Sequence, residues 1–205
     1  MGGEIRIIGG QWKRTRLAVP DKPGLRPTPD RVRETLFNWL GQSLEAWSCV
    51  DAFAGTGALG LEAASRGAAP VQLLEQDADL VKSLHATVQR LKASDQVSVR
   101  RTDGVATLRS MPAASVDLVL LDPPFESKLF ESALKAARPC LRPAGWLYLE
   151  APESWDEARR FQSVSPCRIR SSRTAFMRAA HPRVYPVSVD TPWVTQIAPR
   201  HPRAC

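Results

Sequence analysis

Five apolar runs recur along this chain with room for one helix between each pair, and that alternation constrains the fold more than any other property of the sequence. The runs lie near residues 48–52, 70–75, 96–100, 116–122 and 145–150, and helical patterns fall near 57–66, 78–92, 104–110 and 128–141. Strand and helix in strict alternation predict an α/β fold, a mostly parallel sheet with helices on both faces. Sheets of that kind bind their ligands outside the carboxyl ends of the strands. The residues just past each apolar run are therefore where chemistry is expected.

The first run, Cys49-Val50-Asp51-Ala52-Phe53, leads into Ala54-Gly55-Thr56-Gly57-Ala58-Leu59-Gly60 and then an apolar helix pattern. Gly55, Gly57 and Gly60 match G-x-G-x-x-G, which lets backbone approach a ligand closely and presents a helix start to it. Glu75 lies 20 residues after Gly55, at the end of the second run, in the position from which an acidic side chain holds a ribose hydroxyl pair. Dinucleotides and S-adenosylmethionine both ask for this arrangement. Asp51 favours the second: a carboxylate before the turn repels a pyrophosphate and holds the ammonium of a methionine moiety. Asp51, Phe53, Gly55 and Gly57 are thus expected around that moiety, Glu75 at the ribose, and Asp103, past the third run, at the adenine amino group. Singly, each acid reads equally well as a helix cap or a solvated loop residue.

The fourth run ends in Asp122-Pro123-Pro124-Phe125. A carboxylate, two residues without backbone N–H and an aromatic ring make a corner rich in acceptors and poor in donors. An exocyclic amino group on a planar base fits it, its hydrogens on the acceptors and its ring against the aromatic face. The plainer alternative is a Pro-Pro turn that ends a strand. A nicotinamide-dependent oxidoreductase would use the glycine loop and Glu75, yet it leaves this corner idle, and the chain offers no Tyr-x-x-x-Lys pair or catalytic histidine.

These residues resemble the bacterial 16S rRNA guanine-N2 methyltransferases of the small ribosomal subunit. The resemblance rests on Ile5 to Gly10, on Leu25-Arg26-Pro27-Thr28 with the segment Asp30 to Leu40, on Asp51 to Ala68 and on Asp122 to Phe125, and it spans Glu4 to Glu150. The glycine loop and the Asp-Pro-Pro-Phe box are shared by many amino-methyltransferases, DNA adenine enzymes included; the segment from Arg26 to Leu40 is the specific part. The resemblance implies a Rossmann-like class I fold, S-adenosyl-L-methionine as cofactor, and 16S rRNA or the small subunit as partner. Asp122, Pro123, Pro124 and Phe125 then form the catalytic corner, and Arg33 and Phe37 close over the cofactor. A DNA adenine-N6 methyltransferase and a non-catalytic RNA-binding protein of the same fold are the alternatives.

Charge is distributed as that reading requires. Residues 1–40 hold 8 Lys/Arg against 4 Asp/Glu, residues 41–154 hold 11 against 14, and residues 155–205 hold 9 against 3. Basic ends flank an acidic middle, so polyanion contact is expected at the ends. An N-terminal hairpin, Glu4 to Ile8 and Trp12 to Ala18, carries Arg6, Lys13, Arg14 and Arg16, which with Arg26 and Arg31 are the candidates for RNA phosphates. Thr28 is expected to cap a helix with Pro29 in its first turn and Val32, Leu36, Trp39 and Leu40 on its buried stripe. The domain reading is a basic hairpin and helix over 1–42, a cofactor core over 43–162, and a divergent Arg/Pro-rich tail over 163–205. That tail has no Leu, Gly or Lys but six prolines and seven arginines, so its strands, with short candidates at 168–171 and 185–189, are expected to be irregular and the tail partly disordered. Widely spaced Cys49, Cys140, Cys167 and Cys205 read as reduced thiols, and no residue pattern suggests a metal, an export signal or a membrane span. A cytoplasmic monomer is expected.

Overall fold

The computed structural model describes residues 3–25, 27–124 and 129–150, and the backbone of the strands at 164–168 and 174–179. A short antiparallel hairpin, β1 (Gly3–Arg6) and β2 (Arg16–Val19), comes first and pairs Ile5 with Leu17. Helix α1 (Asp30–Leu40) follows, then β3 (Cys49–Asp51), α2 (Ala58–Ser65), β4 (Val71–Glu75), α3 (Ala78–Arg90), β5 (Val97–Arg101), α4 (Gly104–Ser110), β6 (Val116–Leu121), α5 (Leu129–Cys140) and β7 (Leu141–Glu150). The last strands are β8 (Val164–Arg168) and β9 (Thr174–Ala179).

One seven-stranded sheet has the order β5-β4-β3-β6-β7-β9-β8. The five strands β3 to β7 are parallel, while β9 runs antiparallel to β7 and β8 antiparallel to β9. Leaving β3 the chain winds outward through β4 and β5, then returns to place β6 on the other flank of β3. The reversal opens a crevice at the carboxyl ends of β3 and β6, which is where Asp51 and Asp122 stand.

Alternation along the strands separates two cores. Leu118 and Leu120 of β6 face a cluster holding Leu61 of α2, Leu84 of α3, Leu36 and Phe37 of α1, and Ile7 and Leu17 of the hairpin. Val119 and Leu121 face the opposite cluster, built with Val105 and Leu108 of α4 and Ala133 and Ala137 of α5. The N-terminal hairpin and α1 therefore share a core with the sheet instead of forming a layer of their own.

Two expectations change. The buried stripe of α1 is Arg33, Leu36, Phe37 and Leu40, rotated from the expected one, and Trp39 is 38% exposed. A buried arginine is what turns the helix, because its partner, Glu62, is buried too. In addition, the tail supplies two strands that complete the sheet, shifted from the expected 168–171; the second candidate, 185–189, lies outside the described residues. β9, at 174–179, is not among the expected strands, and its register is set by pairing with β7 over Trp146 to Glu150. Among the described residues no helix is long and apolar enough to cross a membrane.

Candidate active site

A cavity of about 330 Å³ opens at the carboxyl ends of β3, β4 and β6, lined by Asp51, Phe53, the glycine turn, Glu75, Thr102, Gly104 and the Asp122-Pro123-Pro124 corner. The glycine turn and the acceptor corner, 65 or more residues apart in sequence, thus face one space. Asp51 is 1% exposed. Its Oδ2 accepts the Gly60 N–H at 2.9 Å, while Oδ1 is buried with no hydrogen-bond partner. Burial pushes the carboxyl up to about 7, with the Glu75 charge adding to it and the N–H groups of Gly60 and Phe53 pulling the other way. A buried, half-satisfied carboxylate wants a cationic donor, and an ammonium on a ligand in this cavity would be one.

Gly57 sits left-handed, φ 80°, immediately before α2, where an L side chain would be strained. Gly60 serves close approach instead: a Cβ there would lie 2.3 Å from Leu73 Cδ2 and 3.0 Å from Asp51 Oδ2. Gly60→Ala is expected to cost about 1–3 kcal/mol of stability by overpacking, and to weaken ligand binding by pushing α2 off Asp51. Urea denaturation alongside ligand calorimetry checks both effects.

Glu75 is tied into the fold as well as facing the cavity. Its Oε2 accepts the Gly55 N–H at 2.9 Å, and Oε1 accepts from Gln76 at 2.8 Å and Asp77 at 2.9 Å. The side chain fastens the glycine turn to the end of β4 and still lines the cavity, since a carboxylate has about four acceptor sites. Asp103 is exposed and does not line the cavity. It caps α4 by accepting the Ala106 N–H at 2.8 Å, and it accepts from Gln76 Nε2 at 2.9 Å. Its neighbours Thr102 and Gly104 form the wall there.

Asp122 is half-buried, and its Oδ2 accepts from the Thr28 hydroxyl at 3.3 Å. Burial raises its carboxyl well above the usual range, helped by the charges of Glu150 and Asp51 and opposed by the Thr28 hydrogen bond. Pro123 is buried and Pro124 exposed; Phe125 lies outside the described residues.

Arg33 and Phe37 do not close over the cavity, which corrects the expectation drawn for them. Both have no exposed surface and neither lines it. Arg33 donates from Nε to the Thr28 carbonyl at 3.1 Å and pairs with Asp30 and with Glu62 of α2. Phe37 lies under Arg66, whose guanidinium carbon is 4.9 Å from the ring centre. The wall of the cavity expected from them is instead lined by Lys22 to Leu25 with Pro27 and Thr28. Lys22 fastens it to the α3 N-terminus through Asp77 at 2.5 Å and Asp79 at 2.9 Å. Lys22 is not anticipated from sequence, and Leu25 and Thr28 are marked there only as part of the family segment and, for Thr28, as a helix cap, not as cavity residues; the polar partners of Lys22 and Thr28 lie 55 or more residues away.

Of the basic residues, Lys13, Arg14 and Arg31 are exposed. Arg6 pairs with Asp30 at 3.2 Å and Arg16 with Glu4 at 3.1 Å, both on the surface. Arg26 lies outside the described residues. Among the described residues no group of three or more His, Cys, Asp and Glu is arranged to hold a metal ion.

The family described as "Conserved hypothetical protein 95" matches residues 5–178. The chain is 45% identical over 149 residues to ribosomal RNA small subunit methyltransferase D of Escherichia coli K12, covering 73% of this chain and 72% of that one. Against the protein of the same name from Haemophilus influenzae it is 40% identical over 165 residues, covering 75% and 86%. Among solved structures, "Putative methyltransferase yhhF from Escherichia coli" superposes with a TM-score of 0.72 at 33% identity, covering 88% of this chain and all of that one.

Proposed function

Because the chain belongs to the family described as "Conserved hypothetical protein 95", together with the ribosomal RNA small subunit methyltransferases D, and is a methyltransferase, we propose that it transfers a methyl group from S-adenosyl-L-methionine to the exocyclic N2 of a guanine in 16S rRNA. The observation that carries this reading is the single cavity shared by Asp51, the glycine turn and the Asp122-Pro123-Pro124 corner. Donor and acceptor chemistry meet there.

When bound, the cofactor supplies an electrophilic methyl group and a net positive charge. Asp51 fits its ammonium through the unpaired Oδ1, Gly55 lets backbone come close, and Gly57, which packs against Leu61 and Leu84 and does not line the cavity, makes the left-handed turn into α2. Glu75 offers its remaining acceptor capacity to the ribose. Asp122 and the carbonyl of Pro123 accept the two N–H groups of the guanine amine, and Phe125 stacks on the base. That amine is a poor nucleophile because its lone pair is delocalised into the ring, so orientation matters more than basicity. As nitrogen bonds to carbon its protons acidify, and Asp122 stabilises the growing charge more in the transition state than before it. Lys13, Arg14 and Arg31 contact phosphates, joined by Arg6 and Arg16, whose exposed ion pairs are weak enough to exchange.

Asp51 gives cofactor binding a pH dependence. In the free protein it holds a proton below about pH 7, whereas an ammonium ligand requires the carboxylate. Affinity is therefore expected to rise as pH rises toward 7, by up to about tenfold per unit, and then to level off. The free protein responds oppositely, losing stability across the same interval, because the folded state retains a proton that the unfolded chain has released. Calorimetric titration from pH 5.5 to 8.5, with Asp51→Asn as a pH-insensitive weak binder, checks the first expectation.

The function itself is tested by supplying labelled cofactor with unmodified small-subunit particles, and with free 16S rRNA, then mapping the modified nucleotide by mass spectrometry. N2-methylguanine at one position is expected. Methylation of DNA adenine in place of RNA, or no transfer to either, would overturn the proposal.

A further inference from the structure

Thr28 lies between two prolines, Pro27 and Pro29, directly before α1. Its expected task was to cap that helix. It does not: the residue at the cap position is Pro29 and no side chain caps α1. The hydroxyl reaches instead across 94 positions of sequence to Asp122 Oδ2, at 3.3 Å. Thr28 is 3% exposed, and its backbone is held twice over. Each flanking proline restricts the chain, the following one confining Thr28 to extended conformations, and Arg33 Nε fixes its carbonyl at 3.1 Å. Arg33 is itself anchored on Glu62 of α2, the helix that starts at the glycine turn. A stiff, buried hydroxyl is thus wired to one half of the cavity and aimed at the carboxylate of the other.

We infer that Thr28 is a positioning residue for methyl transfer: by occupying Asp122 Oδ2 it leaves the other carboxylate oxygen to accept the guanine N–H and fixes the plane in which it does so. The inference deepens the proposed function and rests on it for the identity of the acceptor. A donor on Oδ2 also favours the ionised carboxylate, which is the form able to accept.

The test compares Thr28→Val, which keeps the shape and removes the hydroxyl, with Thr28→Ser, which restores it. In T28V, kcat is expected to fall about tenfold while the KM for cofactor and RNA stays within about twofold. The acid limb of the kcat–pH profile should move up by about one pH unit, and T28S should recover both. Carbon-13 NMR titration of the Asp122 carboxyl, assigned with an Asp122→Asn variant, reads the pairing without relying on activity, and the midpoint should be higher in T28V. An unchanged midpoint, or T28S behaving like T28V, would overturn the inference. A wild-type protein that transfers no methyl group to small-subunit RNA, with the NMR shift intact, would overturn the proposed function and leave the Thr28–Asp122 pairing established.

Discussion

Asp122→Ala is expected to lower turnover about a thousandfold while cofactor affinity stays within a few fold. The magnitude follows from what the side chain does: removing an acceptor that strengthens as charge develops costs about 10²–10³ in kcat in comparable sites, and losing a proton acceptor adds to it. Cofactor affinity is spared because Asp51, the glycine turn and Glu75 belong to the other flank of the crevice. Asp122→Asn separates the contributions. It retains one oxygen to accept an N–H and can turn its NH2 to the Thr28 hydroxyl, but it carries no negative charge to stabilise the developing cation, so it should remain severely impaired. Single-turnover methyl transfer with calorimetric cofactor binding on each variant measures both quantities. A loss of cofactor binding as large as the loss of rate would place Asp122 in the cofactor subsite and remove it from the catalytic corner.

The strands were legible because each is a short apolar run closed by a turn, and the winding of a parallel sheet left few orders to choose from. The glycine turn and the acceptor corner could be placed on one rim for the same reason: strand ends of a parallel sheet lie together whatever their separation in sequence. Local patterns could not reveal which polar residues are held by distant partners. Arg33 interrupts an apolar stripe, and periodicity alone assigns it to solvent or to a ligand; it is buried because Glu62, 29 positions away, is buried with it. Thr28 carries every local mark of a helix cap, and the competing acceptor is 94 positions away. Asp103 shows the local option taken up. It caps α4 and stands outside the cavity lining, where its two neighbours form the wall. Each of these turns on whether a short-range hydrogen bond loses to a long-range one, which depends on packing that the sequence pattern does not encode.

The buried ion cluster is where stability is most exposed to single changes, and Glu62→Ala is expected to be the most damaging substitution in the described fold. Glu62 is 0% exposed. It accepts the N–H groups of Ile8 and Gly9, each at 2.8 Å, and binds Arg33 at 3.3 Å and Arg66 at 2.9 Å. One carboxylate thus pins the hairpin loop and α1 to α2. Its removal strands two arginines and two backbone donors away from water, and breaking a buried pair by deleting one partner costs about 3–5 kcal/mol, with the orphaned N–H groups adding to that. In a chain of 205 residues, where each kcal/mol moves the midpoint about 2–4 °C, the melting temperature should fall by roughly 10 °C or more. Arg33→Leu alone should cost less, since Arg66 and both backbone donors still satisfy Glu62. The double variant Glu62→Ala with Arg33→Leu should cost less than the two single losses combined, because the uncompensated charge each creates is removed by the other. Urea denaturation of the four proteins closes the cycle. Strictly additive losses would mean that Arg33 and Glu62 are not coupled, and that α1 is held to α2 by contacts other than this ion pair.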